Sequence, residues 1–139
     1  MRQLVGTWEC SYRGDDGTSS STERDLILND YWLELHINHG AMAGRFPAHQ
    51  HEAWMSYDNT KKRWIEIHIG SRGSYGADVS YAPATSKQQR WVTEYPPPKA
   101  GDGYTIVDYQ ADRIVRHEYW EESGKPQTAV ETCTRSSPH

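Results

Sequence analysis

A chain of 139 residues with a formal net charge of −4 is long enough to bury a sizeable core, and we expect one domain over residues 1–139. The Lys and Arg residues are scattered and form no basic stripe, which argues against nucleic acid as a partner. No apolar run reaches membrane-spanning length, so no membrane partner is expected. No signal peptide precedes Leu4-Val5, which predicts either a cytoplasmic protein or a mature N-terminus.

Short runs rich in β-branched and aromatic residues recur along the chain, and helical periodicity is nearly absent. The runs predict ten strands, at Leu4–Arg13, Ser21–Leu28, Tyr31–Asn38, His49–Tyr57, Arg63–Gly70, Ser74–Tyr81, Gln88–Tyr95, Gly103–Tyr109, Arg113–Glu122 and Pro126–Arg135. The connections at 14–17, 71–72, 110–112 and 123–124 are typical of hairpin turns. The segment 18–22 is interpreted as a flexible turn and 39–48 as a longer loop. These elements predict an all-β fold, a single antiparallel up-and-down β-barrel of about ten strands, whose closure removes exposed strand edges.

The two ends of the chain support closure. If the first strand pairs antiparallel with the last so that Cys10 faces Cys133, the same register places Trp8 opposite Arg135. One register then allows both a disulfide and a cation–π contact. Two free buried thiols are the alternative. An oxidised bridge implies an extracytoplasmic compartment, and a reduced pair a cytoplasmic one.

These residues also carry a family resemblance. Gly6-Thr7-Trp8 in the first strand and Arg135 in the last resemble the signature of the calycins, which include lipocalins and fatty-acid-binding proteins. In that superfamily the Trp plugs one end of the barrel and the Arg packs across it. The strand count, Tyr57-Asp58 before Trp64, Gly70 and Gly73, and the terminal Thr132-Cys133-Thr134-Arg135 are similar to a bacterial calycin-like family of unknown function. That family is related to the haem-binding nitrobindins, whose Gly-x-Trp-x-Gly-x-Gly pattern is broken at Glu9–Tyr12, so haem is not expected.

The richest stretch of potential chemistry is Ala48–Gly70, which predicts a hairpin around a turn at Asp58–Lys62. A four-residue loop from 59 to 62 pairs Tyr57 with Trp64, and side chains alternate between the two faces of a strand. One face therefore collects His49, His51, Ala53, Met55, Tyr57, Trp64, Glu66 and His68. The other carries Trp54 with Ile65, Ile67 and Ile69.

Which face lines the barrel depends on a pattern that occurs twice, Trp-x-Glu-x-His at 32–36 and at 64–68. Burial statistics favour the alternating aliphatic residues inside. Hairpin geometry with a two-residue turn at 71–72 favours the Trp, Glu and His residues inside, with Tyr75 opposite His68. We predict a polar-aromatic lumen. Its ligand-binding residues would be Trp32, Glu34, His36, His51, Met55, Tyr57, Trp64, Glu66, His68, Tyr75, Arg116 and Trp120. A one-residue slip would reverse every side chain.

Pro47-x-His49-x-His51 resembles the start of a cupin metal motif. Histidines two apart on a strand point the same way and can share a cation, with His68 or Glu66 from the neighbouring strand as the third ligand. A divalent metal on His49, His51 and His68 is one interpretation. Histidines that only shape a strand entrance are the commoner explanation.

Glu66 beside His68 offers a carboxyl and an imidazole for proton transfer, although the two can also simply satisfy one another or water. The sequence therefore predicts a barrel that binds a small organic molecule in its lumen. The alternative is a small barrel enzyme acting on such a substrate, an acid–base isomerase, cyclase or hydrolase through Glu66 and His68, or a metal-dependent one. If the isoleucines of 65–69, with Leu33, Leu35 and Ile37 nearby, face outward, a homodimer would cover them.

Overall fold

The computed structural model describes residues 1–136, which are almost entirely antiparallel strands. A 3-10 helix at Arg2–Leu4 precedes ten strands: β1 Gly6–Gly14, β2 Gly17–Leu28, β3 Trp32–His39, β4 His49–Asp58, β5 Arg63–Gly70, β6 Tyr75–Ser80, β7 Gln88–Tyr95, β8 Tyr104–Tyr109, β9 Arg113–Glu122 and β10 Lys125–Arg135. No helix in this described part of the chain is long and apolar enough to cross a membrane.

Each strand pairs with the next one in the chain, and β1 pairs with β10 to close the barrel. The predicted all-β, up-and-down barrel is therefore confirmed. Its short turns follow from local chemistry. Asp58 accepts hydrogen bonds from the backbone N–H groups of Thr60 and Lys61, at 2.9 and 3.1 Å, and so fixes the β4–β5 turn.

The pairing of β1 with β10, the seam of the barrel, has the register that the sequence predicts. Cys10 pairs with Cys133 and Trp8 with Arg135, and the two cysteines are joined by a disulfide. The guanidinium of Arg135 lies 4.2 Å from the ring centroid of Trp8 and donates to the carbonyls of Gln3, Val5 and Ala111. Trp8 is fully buried. Arg135 therefore ties the N-terminal segment and the β8–β9 turn across one end of the barrel.

The two ends of the barrel differ in composition. At the end near Arg2–Leu4, which we call the helix end, Leu4 is buried and accepts a hydrogen bond from the indole of Trp8 at 3.0 Å. At the opposite end, the histidine end, β3 finishes at His39 and β4 begins at His49. The main apolar cluster gathers around Leu4, Trp8 and Trp64 and thus occupies the helix end.

Two local expectations are wrong. The segment 18–22 is not a turn but part of β2, which pairs with β1 from Gly14↔Gly17 onward. The β5–β6 connection is longer than two residues: the N–H of Gly70 bonds to the carbonyl of Ser74, and Gly73 has φ +90°. Because the longer connection shifts the register by one, Ile69 rather than His68 faces Tyr75.

Candidate functional site: the acidic lumen

A partly open cavity of about 210 Å³ lies inside the barrel. Every strand from β2 to β9 contributes to its wall, so the cavity lies within the lumen. Its lining residues are Leu4, Glu23, Asp25, Leu33, Leu35, Met55, Glu66, Asp78, Trp91, Thr105, Val107, Tyr109, Ile114, Arg116 and Glu118. An apolar wall and a cluster of charged groups thus share one small space.

Arg116 is the cation of this cavity. Its guanidinium donates to both carboxylate oxygens of Glu23, at 3.0 and 3.1 Å, and to Glu131 at 2.7 Å. Although burial opposes the charged form, Glu23 and Glu131 hold the pKa of Arg116 well above its ordinary value. Arg116 is therefore already paired with two carboxylates, those of Glu23 and Glu131, and forms no ion pair with the other acids of the lumen within the described residues.

Four further carboxyl groups line the cavity. Burial raises the pKa of Glu66 from 4.5 to about 7; nearby Arg116 opposes this, and the charges of Asp78 and Glu23 add to it. Burial likewise raises the pKa of Glu118 to about 7, helped by Glu131. Such groups change charge near neutral pH.

The other two acids differ in their partners. Burial and the neighbouring Glu23 raise the pKa of Asp25 well above its ordinary value, and its Oδ1 is buried with no hydrogen-bond partner within residues 1–136. Burial also raises the pKa of Asp78, whereas His68 lowers it, since His68 Nε2 lies 3.6 Å from an Asp78 oxygen. The lumen therefore holds more carboxyl groups than cations.

The opposite wall is apolar. Leu33 and Leu35 from β3, Val107 from β8 and Ile114 from β9 are buried beside the cavity. Trp91 borders both the cavity and an adjoining cleft that Asp102, Gly103 and Trp120 help to form. Asp78, Thr105 and Glu118 also border both spaces. This cleft marks where the lumen approaches the surface.

A second cluster of polar side chains lies at the histidine end. The rings of His39 and His49 stack with centroids 4.5 Å apart, and the ring of His51 lies 5.3 Å from His39. Burial lowers the pKa of His39 to about 4, with His49 and His51 adding to the effect. The pKa of His51 is lowered too, chiefly by burial. None of the three borders the cavity.

The structure places only part of the sequence-predicted site at the cavity. Tyr57 faces Trp64, Met55 faces Glu66 and Ala53 faces His68, as the hairpin analysis predicts. Met55, Glu66 and Arg116 border the cavity itself. The remaining inward members lie toward the two ends: Tyr57 and Trp64 at the helix end, and His49, His51, His68 and Trp120 at the histidine end.

The expected inward orientation is wrong for Trp32, Glu34, His36 and Tyr75. Leu33 and Leu35 are buried against the lumen, so the alternating residues of β3 point outward. There, His36 lies 3.4 Å from Glu34, and Tyr75, 63% exposed, stacks on Tyr95. The two copies of the Trp-x-Glu-x-His pattern therefore face opposite sides of the wall, inward on β5 and outward on β3.

Several lumen residues escaped the sequence analysis. Glu23 and Asp25 were recoverable, because the turn at 14–17 pairs Trp8 with Glu23, and an inward Trp8 carries Glu23 inward with it. The two-residue turn expected at 71–72 would place Asp78 on the outer face, whereas in the observed register Asp78 pairs with Glu66 and borders the cavity. His39 was placed in a loop, whereas it pairs with His49 at the end of β3. The predicted metal set of His49, His51 and His68 thus has a closer third neighbour in His39.

No protein-family model and no curated protein matches this chain. Among solved structures, the crystal structure of Rv2717c from M. tuberculosis aligns with a TM-score of 0.71 at 10% identity, covering 97% of this chain and 94% of that one. A de novo designed fluorescence-activating β-barrel aligns with a TM-score of 0.52 at 11% identity. So does the structure of EF1p2_mFAP2b bound to DFHBI, and each of these two alignments covers 97% of this chain and 95% of the other. At such identities the likeness extends to the fold alone.

Proposed function

We propose that this barrel binds a small organic cation in its lumen. The observation that carries the proposal is a cavity of about 210 Å³ in which carboxyl groups outnumber cations beside an apolar wall. Asp25, Glu66 and Glu118 form no ion pair within the described residues. Ligand pockets typically combine such an apolar surface with a few placed polar groups.

A bound cation would supply the positive charge that these carboxyl groups lack. Burial without a partner disfavours the ionised form, which explains their raised pKa values. An ammonium or amidinium group would pair with the carboxylates, while its aromatic or aliphatic part would contact Trp91 and Val107. A carboxylate ligand would instead meet like charge. The one guanidinium of the cavity lining that could offset it, that of Arg116, is occupied by Glu23 and Glu131.

Benzamidinium and benzoate test this proposal, because they match in shape and differ in charge. We expect benzamidinium to bind at pH 8 with an affinity measurable by isothermal titration calorimetry, and benzoate not to bind. Binding should weaken as the pH falls through 7, because protonated Glu66 and Glu118 offer no negative charge. At pH 7 the heat should depend on the buffer, since the ligand expels protons from these groups.

Glu66→Gln and Glu34→Gln form a matched pair, because the two residues occupy the same place in the repeated Trp-x-Glu-x-His pattern on opposite sides of the wall. Glu66→Gln should weaken benzamidinium binding by about tenfold, the loss of one charge-assisted contact. Glu34→Gln should leave it unchanged. Equal binding by both variants, or a preference for benzoate, would contradict the proposal.

Acid–base catalysis in the same cavity is the second candidate function. It is favoured by Glu66 and Glu118, whose pKa values of about 7 suit proton transfer near neutral pH. Glu66→Gln distinguishes the two candidate functions when turnover and binding of one compound are both measured. An enzyme would lose turnover while retaining binding, whereas a binding protein would lose affinity and would show no turnover in the parent chain.

A calycin relationship is a further part of the proposal. Trp8 is fully buried near the helix end and the guanidinium of Arg135 lies over its ring, the arrangement that the calycin resemblance implies. The closed antiparallel barrel agrees with it. Because the matched structures share at most 11% identity, the support rests on these two residues and the topology.

A homodimer is also proposed. Trp64, Glu66 and His68 face inward, which leaves Ile67 and Ile69 on the outer wall, 42% and 45% exposed. The expected contribution of Leu33, Leu35 and Ile37 to this band is wrong, because those residues face the lumen. The outer apolar band centred on β5 therefore consists of Ile65, Ile67 and Ile69 with the neighbouring Trp54 and Tyr75.

A further inference from the structure

We propose that His39, His49 and His51 form a binding site for a divalent transition-metal ion at the histidine end of the barrel. One ring nitrogen of each histidine lies within 4.8 Å of one from each of the others. Two nitrogens bound to one Zn²⁺ at 2.0–2.1 Å are about 3.3 Å apart in tetrahedral geometry. Small side-chain rotations therefore suffice to close the three nitrogens around an ion.

The paired strands β3 and β4 hold the three histidine rings close together. His39 and His49 are paired across β3 and β4, and His51 is two residues further along β4 on the same face. The intervening loop is anchored at both ends, because the N–H of Gly40 bonds to the carbonyl of Ser20 and Met42 forms a bridge with Phe46. The backbone therefore holds the three histidines near one another without a bound ion.

The hydrogen bonds of the cluster leave ligand atoms free. His49 Nδ1 lies 3.0 Å from the carbonyl oxygen of Pro47, which can only accept, so Nδ1 carries the proton. The Nε2 lone pair of His49 is then available, and a carbonyl partner of this kind is the usual outer support of a metal-binding histidine. His51 Nδ1 is buried and has no hydrogen-bond partner within residues 1–136. A coordinated ion would satisfy it.

Space beside the cluster is kept open by a glycine. A Cβ added to Gly70, which faces His51 across β4 and β5, would lie 3.3 Å from His51 Nε2. Because Gly70 has no side chain, the ring of His51 fits close to β5, with Nε2 on the side of Gly70. His68, the third ligand expected from the sequence, has its ring 6.0 Å from His51 and its Nε2 near Asp78 instead.

Three imidazoles select the class of metal. Imidazole nitrogen suits Zn²⁺, Ni²⁺, Cu²⁺ and Co²⁺, whereas Ca²⁺ and Mg²⁺ take oxygen ligands. Three protein ligands leave at least one coordination position for water or another small molecule. This site is separate from the proposed cation-binding lumen, because none of its three histidines borders that cavity.

Zn²⁺ titration of the untagged chain tests the site. We expect one Zn²⁺ per chain by calorimetry, a higher melting temperature with Zn²⁺, and visible absorption from a Co²⁺-substituted sample with the intensity of a four-coordinate ion. His39→Gln should weaken Zn²⁺ binding at least tenfold. His36→Gln on the same strand is the matched control, since His36 lies on the outer wall, and it should bind Zn²⁺ as the parent does.

The variants also separate this site from the alternatives. If His39→Gln lowers the metal-free melting temperature so far that the chain unfolds, His49→Gln gives the same test from the neighbouring strand. No stoichiometric Zn²⁺ binding by the parent overturns the inference. It is equally overturned if His68→Gln abolishes binding while His39→Gln does not, which would restore the set of His49, His51 and His68.

Discussion

Arg116 and Glu23 are joined by two hydrogen bonds, of 3.0 and 3.1 Å, although 93 residues separate them in the chain. Glu23 is 1% exposed, so its charge has no access to bulk water and depends on this guanidinium. The same guanidinium reaches Glu131 on β10. Arg116 on β9 therefore connects β2 and β10 on the inner side of the barrel wall, on either side of the β1–β10 pairing.

Removing Arg116 should be costly to stability. Arg116→Gln leaves Glu23 as an unpaired buried charge, which typically destabilises a fold by about 3–5 kcal/mol. The double variant Glu23→Gln/Arg116→Gln should recover part of that loss, because it removes the orphaned charge. Urea denaturation of the parent, both single variants and the double variant measures the coupling. Arg45→Gln, which breaks the exposed pair with Glu122, is the control and should cost at most about 1 kcal/mol.

Glu66 should make stability depend on pH. Its pKa rises from 4.5 to about 7 on folding, so the folded state holds the proton more tightly. This contribution to stability is fully present below pH 4.5 and is lost as the pH rises to about 7. The shift corresponds to an upper limit of about 3 kcal/mol. Glu66→Gln should therefore become more stable than the parent as the pH rises from about 5 to about 8.

The difference in the free energy of unfolding between the parent and Glu66→Gln is the quantity to compare, because other groups titrate in the same pH range. The lowered pKa of His39 acts in the opposite direction, since stability from that residue grows as the pH rises toward its unfolded value. Subtracting the free energy of unfolding of the variant from that of the parent at each pH cancels the contribution of His39. A difference that does not change with pH would show that Glu66 is not buried from water in the folded protein.

The disulfide should stabilise the barrel by closing a long loop. Cys10 and Cys133 are 123 residues apart, and native disulfides typically contribute about 2–4 kcal/mol. We expect intact mass under non-reducing conditions to match the oxidised chain. A reductant should lower the melting temperature of the parent and leave that of Cys10→Ser/Cys133→Ser unchanged. Alkylation of two free thiols in the untreated protein would contradict the bridge, on which the expectation of an extracytoplasmic compartment is conditional.

The outer isoleucines should mediate dimer formation. Ile67 and Ile69 project from β5 into solvent, beside the stacked Tyr75 and Tyr95. Light scattering of the parent should report a dimer, and Ile67→Lys should shift it to a monomer because a charge cannot be buried unpaired at the interface. Val130→Lys is the matched control, since Val130 is 39% exposed elsewhere on the wall. A parent that stays monomeric at high concentration would refute the dimer.

The sequence by itself determined the barrel, its seam and the hairpin at its centre. Cys10, Cys133, Trp8 and Arg135 satisfy one register between the terminal strands. The turn after Asp58 sets the pairing of Tyr57 with Trp64 through hydrogen bonds made within a few residues. Short turns carry their geometry in their own residues, so these relationships can be worked out locally.

Only the tertiary structure decided which side of β3 and β6 faces the lumen, and therefore part of the composition of the site. The loop from 40 to 48 leaves the β3–β4 register open, and the pairing of Leu33 with Met55 is what turns Glu34 outward while Glu66 points inward. The longer connection before Tyr75 brings Asp78 into the cavity. Side chains alternate along a strand, so a slip of one residue exchanges lumen and surface. The lumen position of Asp78 and the neighbourhood of His39 depend on the registers across the connections at 71–74 and 40–48, which no short hairpin turn specifies.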